Sequence, residues 1–180
     1  MSVSVITATI PGREQFLRRA INSVANQTLK PQAHLIGVDY AKRGGAAVKN
    51  DLGFAAESKW IAILDDDDWF YPEHLASLVE AAETQHCDVA YSWCDVAGEN
   101  PWLGYNQPFD PELLKTTSIV SHNAIVRTNL FVELGGFKQV KGYDWLFWVA
   151  AHQAGARFTC VERPTWLYDL SESHAHESRP

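Results

Sequence analysis

Residues 60–69, WIAILDDDDW, decide how this chain is read: five apolar residues run straight into four consecutive aspartates, Asp65, Asp66, Asp67 and Asp68. The continuous apolarity of residues 60–64 predicts a strand buried on both faces, as in a parallel sheet. In an open α/β sheet such a strand delivers the aspartates to the carboxyl edge, where ligands bind. In extended geometry Asp65 and Asp67 would project together, with Asp66 and Asp68 pointing elsewhere. Four adjacent carboxylates repel one another unless a cation sits among them. A hard divalent ion with oxygen ligands and open water positions, Mg²⁺ or Mn²⁺, meets that need. The alternative is a solvated acidic turn whose Asp68 caps a helix at Pro72.

Outward from this stretch, strand and helix alternate. Residues 3–9 form a β-branched run ended by Pro11-Gly12, and Phe16, Leu17, Ala20, Ile21 and Val24 then recur at helical spacing. A second strand over 34–38 ends at Asp39, and Gly44-Gly45 opens a helix through Phe54. Pro72 and Glu73 make a first helical turn, with Leu75, Leu78, Val79 and Ala82 as the apolar face behind it. Three strand–helix alternations predict an α/β fold with a mostly parallel sheet. The second half is less regular. It offers a strand at 88–93, a Pro/Gly/aromatic loop at 99–110, a mixed strand at 118–127 and a break at Gly135-Gly136. An aromatic helix over 143–154, two short strands at 157–161 and 165–168, and a polar tail at 171–180 complete the chain. Neither a repeat nor a linker divides it.

With 46% hydrophobic and 21% charged residues over 180 positions, the composition fits one globular domain and excludes a disordered chain, a collagen-like fibre or a disulfide-stapled miniprotein. The net charge of −7 is uneven: residues 1–50 hold seven Lys/Arg against Glu14 and Asp39. An overall anion is a poor partner for a nucleic-acid polymer, but a small phosphorylated ligand can be held between a basic segment and a metal-loaded acidic one. Cys87, Cys94 and Cys160 are odd in number without CxxC spacing, which points to reduced thiols. The N-terminus reads as a strand and not a signal peptide, and no apolar run is long enough to span a membrane. The expected compartment is the cytoplasm.

Several other residues are candidates for chemistry. Asp39, at a strand end, can accept a hydrogen bond from a base or ribose, or serve as a turn aspartate. Arg43, Lys49 and Asn50 could meet a diphosphate or decorate a solvated helix. Asp144 opens a helix among Tyr143, Trp145, Phe147 and Trp148. A carboxylate beside so many rings loses hydration, which suits a general base; a solvated helix-starting Asp is the other reading. Trp93, Trp102, Trp145 and Trp148 can stack on sugars or pack in the core. His174 and His176 could supply a metal ligand from a closing tail, against the plainer reading of a disordered polar end.

The order of these motifs resembles the family 2 glycosyltransferases, which have the nucleotide-sugar-binding GT-A fold. The opening SVITATIPGREQFLRRAINSVANQT is similar to the family's first strand, turn and helix. Asp39 matches its acid after the second strand, Lys49-Asn50 stands where Arg-Asn is usual, and WIAILDDDDWFYPEHL is close to its Leu-Asp-x-Asp-Asp segment. ELGGFKQVKGYDWLFWVA resembles Gly-Gly-Phe, spacer, Glu-Asp-Trp-Asp-Leu-Trp, with Tyr143 replacing the Glu and Leu146 the second Asp. The resemblance runs from residue 3 to about 169.

It implies a Rossmann-like three-layer sandwich over residues 1–170, with 1–95 as the nucleotide-binding half and 96–170 as the acceptor and catalytic half. It implies transfer from a nucleoside diphosphate sugar, with UDP preferred and GDP or dTDP as alternatives, to an unidentified acceptor hydroxyl with inversion. Thr9, Arg13 and Asp39 would line the nucleotide pocket, with Lys49, Asn50 and Asp65 nearby, and Asp66 would contact the ribose. Asp67, with Asp65 and His174, would hold Mn²⁺ or Mg²⁺, and Asp144 would be the base. Lys49 would assist the leaving group, and Trp102, His122 and Trp145 would touch the acceptor. The rivals are another metal-dependent phosphate-transfer enzyme and a degenerate module that binds nucleotide or glycan without turnover, for which Tyr143 and Leu146 are the best argument.

Overall fold

The computed structural model describes residues 2–98 and 104–170. Strand β1 (Val3–Thr9) leads through a turn to helix α1 (Glu14–Ala25), and β2 (Ala33–Val38) to α2 (Gly45–Phe54). Strand β3 (Trp60–Ile63) is followed by the two-residue β4 (Trp69–Phe70) and α3 (His74–Thr84). Next come β5 (Val89–Ala97), the single turn α4 (Pro111–Leu114), β6 (Ile125–Arg127), α5 (Thr128–Glu133), α6 (Tyr143–Gln153) and β7 (Phe158–Asp169).

The seven strands form one mixed sheet in the order β2-β1-β3-β6-β5-β7-β4. β1 pairs in parallel with β2 and β3, and β5 with β7, while β6 runs antiparallel to both β3 and β5 and β4 antiparallel to β7. All strands but β6 and β4 therefore point the same way. The apolar run before the aspartates sits in the middle, and its side chains divide by alternation. Trp60, Ala62 and Leu64 pack with α1 and α3 on one face, and Ile61 and Ile63 join Phe131, Phe147 and Trp148 of α5 and α6 on the other. Every residue of β3 is buried, which gives the expected three layers.

Against β2, α2 lies so close that a Cβ on Gly37 would collide with Val48. This contact seats Lys49 and Asn50 under the sheet's carboxyl edge.

Three local expectations are corrected. Only residues 125–127 of the stretch 118–127 are strand. The buried Ser121, His122 and Asn123 precede it in a turn, where His122 and Asn123 turn toward the acidic segment instead of a neighbouring strand. The two short strands at the end are one, β7, whose pairing with β5 slips twice about Trp93, so that Val161 faces Ser92 but Pro164 faces Trp93. Such a bulge accommodates a proline that cannot donate to the ladder. Finally, α3 begins at His74, with Pro72 and Glu73 in the turn before it.

Candidate active site

The four aspartates do not continue β3 in extended form. The Asp68 amide donates to the Asp65 carbonyl at 3.3 Å, closing a turn, and the Asp65 charge still acts on Asp67. Each carboxylate finds protein donors from elsewhere. The Arg13 guanidinium, in the turn after β1, donates to Asp66 from Nε at 2.9 Å and from Nη2 at 2.8 Å, and Nη2 also reaches Asp67 at 2.8 Å. Thr9, the last residue of β1, donates its hydroxyl to Asp66. Lys49 of α2 donates to Asp65 and, at 2.9 Å, to the Tyr143 hydroxyl.

Asp68 is wholly buried. One of its oxygens accepts from His122 Nε2 and Asn123 Nδ2, both at 2.9 Å, and the other from the Asp169 backbone amide at 3.1 Å. Asp68 therefore caps no helix at Pro72. His122 also lies 3.3 Å from Asp65. Asp169, at the end of β7, is in turn paired with Arg19 of α1 at 2.7 Å.

These contacts set the protonation states. Burial works against the charge on His122, but the Asp65 and Asp68 carboxylates outweigh it and push its pKa up to about 9, so it is a cation at neutral pH. Burial likewise opposes ionised Asp65, yet Lys49 and His122 hold its pKa down at about 2. Lys49 is kept protonated by Asp65 and Tyr143 despite being buried. Burial raises the pKa of Asp68 against the pull of His122, and burial and then the charges of Asp65 and Asp68 raise that of Asp67 to about 6. Among the described residues Arg13 alone hydrogen-bonds Asp67, and an added cation would favour its ionised form.

The fit of a metal follows from this donor set. Among the described residues no three His, Cys, Asp or Glu side chains converge as a metal cage. Asp65, Asp66 and Asp68 each meet two or more protein donors, whereas Asp67, with a side chain 21% exposed, takes a bond from Arg13 among the described residues and is the candidate oxygen donor. One carboxylate suits a Mg²⁺- or Mn²⁺-like ion that takes its remaining ligands from water and a bound diphosphate.

The other predicted residues fall into three groups. Asp39, whose amide donates to the Thr9 carbonyl at 2.8 Å, lies beside β1 at the same edge. Its carboxylate accepts from the amides of Arg43 at 2.9 Å and Gly44 at 2.7 Å, the bonds of a turn aspartate, and the Arg43 amide above all lowers its pKa. Asn50, Lys49, His122 and Trp145 each make contacts within the protein. Both ends of the Asn50 amide clip the Phe137 backbone, at 2.7 and 2.8 Å. The Lys49 ammonium, its side chain 3% exposed, donates to Asp65 and Tyr143. His122 Nε2 donates to the acidic turn, and the Trp145 indole donates to the Leu114 carbonyl at 2.7 Å. Trp102 and His174 lie outside the described residues.

Asp144 sits in the first turn of α6, half-buried. No hydrogen bond from a described residue reaches its carboxylate. Its charge is felt by Tyr105, Tyr143 and Tyr168, and Tyr168 also feels Asp65, Asp67 and Asp68, so Asp144 and the acidic turn both lie near Tyr168. The Tyr168 and Tyr105 ring centroids are 6.3 Å apart. Sequence reasoning missed Tyr105, Tyr168, Asn123, Asp169 and Arg19. The Asp110-Pro111 pair is a local signal that went unread: Asp110 caps α4, accepting from the amides of Glu112 and Leu113.

A sequence profile of glycosyl transferase family 2 matches residues 41–141, more than half of the chain. The chain belongs to this family. Over 98% of its length this family 2 glycosyltransferase is 25% identical to MJ1057, an uncharacterized glycosyltransferase of Methanocaldococcus jannaschii, covering 73% of that protein. The S. aureus TarS 1–349 structure in complex with UDP-GlcNAc superposes on the whole chain with a TM-score of 0.80 at 17% identity. The mannosyltransferase PcManGT of Pyrobaculum calidifontis, in complex with GDP-Man and Mn²⁺, superposes on 95% of it with a TM-score of 0.71 at 15% identity. These likenesses establish the GT-A fold. The chain spans about three fifths of those two solved chains, 62% and 57%.

Proposed function

We propose that this glycosyltransferase moves a sugar from a nucleoside diphosphate sugar, a UDP-sugar first, to an acceptor hydroxyl with inversion at the anomeric carbon. The observation that carries the reading is the nearness of the cation-buttressed acidic turn and Asp144 to the same Tyr168, with the Asp144 carboxylate free of any hydrogen bond from a described residue. Thr9, Arg13 and Asp39 line the nucleotide side, and Asp66, held by Thr9 and Arg13, faces the ribose. Residues 1–95 supply the donor half, and 96–170 supply Asp144, Tyr105 and Tyr168 to the acceptor half.

Asp67 would hold a Mn²⁺ or Mg²⁺ ion, which when bound supplies positive charge to the leaving diphosphate. Arg13 adds fixed positive charge beside it. Asp144 takes the proton from the acceptor hydroxyl as that oxygen attacks from the side opposite the diphosphate, which inverts the centre. The anomeric C–O bond breaks, the new C–O bond forms, and the proton ends on Asp144.

Incubation with radiolabelled UDP-GlcNAc and GDP-mannose plus Mn²⁺ tests this, with transfer expected for the wild type and lost in Asp144→Asn. Transfer by that variant at the wild-type rate removes Asp144 from the role of base. A binding module without turnover is the second reading, favoured by Tyr143 and Leu146 standing where acids are usual and by the protein cations on the acidic turn. Calorimetry with UDP and GDP, showing metal-dependent binding without transfer or hydrolysis, would select it. Family membership leaves the phosphohydrolase and nucleotidyltransferase readings without support.

A further inference from the structure

We propose that Tyr143 is a positioning residue: its hydroxyl, held by Lys49, fixes the first turn of α6, and with it Asp144, against the acidic turn. This rests on the base assigned to Asp144 above. Since no described residue hydrogen-bonds the Asp144 carboxylate, its place is set by the backbone of the turn that carries it. That turn lacks the usual restraint, because its N-cap, Gly142, is left-handed at φ 70° and offers no side-chain cap.

The restraint comes instead from the two residues flanking Asp144. On one side the Trp145 indole donates to the Leu114 carbonyl at 2.7 Å, tying the turn to α4. On the other, the Tyr143 hydroxyl accepts from Lys49 at 2.9 Å, and its ring packs 5.2 Å from Phe137, whose backbone is clipped to Asn50. Lys49 and Asn50 are neighbours on α2, so the Tyr143 side is referred to α2 throughout.

Lys49 also donates to Asp65, and one buried ammonium therefore bridges the acidic turn and the start of α6. It has little freedom to serve one partner without the other. The Trp145 tie fixes Asp144 relative to α4 only. The Lys49–Tyr143 bond is the contact that fixes it relative to the aspartates, which is the separation that a transfer between donor and acceptor depends on.

Two substitutions separate the hydroxyl from the ring. Tyr143→Phe keeps the packing and removes the acceptor, while Tyr143→Gln gives up the ring and restores an uncharged acceptor for Lys49. The first readout is hydrogen exchange at the Leu146 amide, which closes the turn by donating to the Gly142 carbonyl at 3.0 Å. We expect this amide to exchange about tenfold faster in Tyr143→Phe and near the wild-type rate in Tyr143→Gln, with the β3 amides unchanged. If the Gln variant does not fold, Lys49→Met should reproduce the Phe result from the other end of the bond.

The second readout is turnover of UDP-GlcNAc or GDP-mannose with Mn²⁺. Here kcat should fall about tenfold in Tyr143→Phe while the donor KM stays within about twofold. Wild-type exchange in Tyr143→Phe overturns the proposal. So does a Phe variant that is fully active beside a Gln variant that is not, since the ring alone would then matter. Full turnover by Asp144→Asn alongside fast Leu146 exchange in Tyr143→Phe would sink the base assignment and leave the positioning of the turn intact.

Discussion

The acidic turn and the first turn of α6 both place carboxylates near Tyr168, and they are built in opposite ways. In the acidic turn every carboxylate is bonded by side chains from other elements, Arg13, Lys49, His122 and Asn123 among them. Asp144 has no such bond from a described residue, and only its neighbours Tyr143 and Trp145 are tied down. A group that must take up a proton has to keep its lone pairs unengaged, whereas a group that must keep its place and charge is better cross-linked. Under the proposed function, the contrast is between the base and the platform that holds the donor.

The largest effect should fall on chemistry at one turn and on stability at the other. Asp144→Asn should lower transfer by about 10²–10⁴-fold, the span of a lost general base, and change unfolding free energy by less than about 0.5 kcal/mol. Lys49→Met should do the reverse first, costing about 3 kcal/mol in urea unfolding because it leaves Asp65 without its closest countercharge. If Asp144→Asn proves the more destabilising of the two, the division is wrong.

pH sharpens the comparison further. The raised pKa of His122 means that its stabilising charge is fully present below about 6.5 and is lost as pH rises through about 9. The wild type should lose on the order of 2 kcal/mol across that window relative to His122→Asn, whose curve should be flatter, as followed by denaturant titration at several pH values. Asp67 is expected to give the smallest effect. With its pKa near 6, Mn²⁺ binding in the presence of UDP should hold steady above that pH and weaken by up to about tenfold per unit below it, measured by calorimetry. The same shift predicts that the metal-free protein gains stability as pH falls from about 7 through 6, because Asp67 then takes up the proton that relieves its repulsion.

How much of this could be read beforehand depended on the range over which each feature is encoded. The period of Phe16, Ala20 and Val24, and the unbroken run from Trp60 to Leu64, are local, and both produced the elements expected of them. The crowding of four aspartates is local too, and the need for a cation followed from it. Which cations answer that need is not local. Arg13 and His122 stand more than fifty residues from the carboxylates they meet, and the sheet order that brings them together leaves no trace in periodicity. From the sequence, the repulsion pointed to a metal or to a solvated turn. In the fold, protein cations meet the carboxylates, and Asp67 shares Arg13 with Asp66. The second half was harder because its elements are short or irregular: a single-turn helix, a three-residue strand, and a long strand whose bulge at Pro164 looks like an interruption.

The last residue of β7 carries a consequence of a mechanical kind. Through its amide, Asp169 holds one oxygen of Asp68, and through its carboxylate it holds Arg19 on α1. Tension on the polypeptide beyond residue 170 would therefore meet the bond from the Leu170 amide to the Ala97 carbonyl and then, through Asp169, both the acidic turn and α1. A tether, a fused domain or a surface to which that end is anchored would have its hand on the donor side of the site.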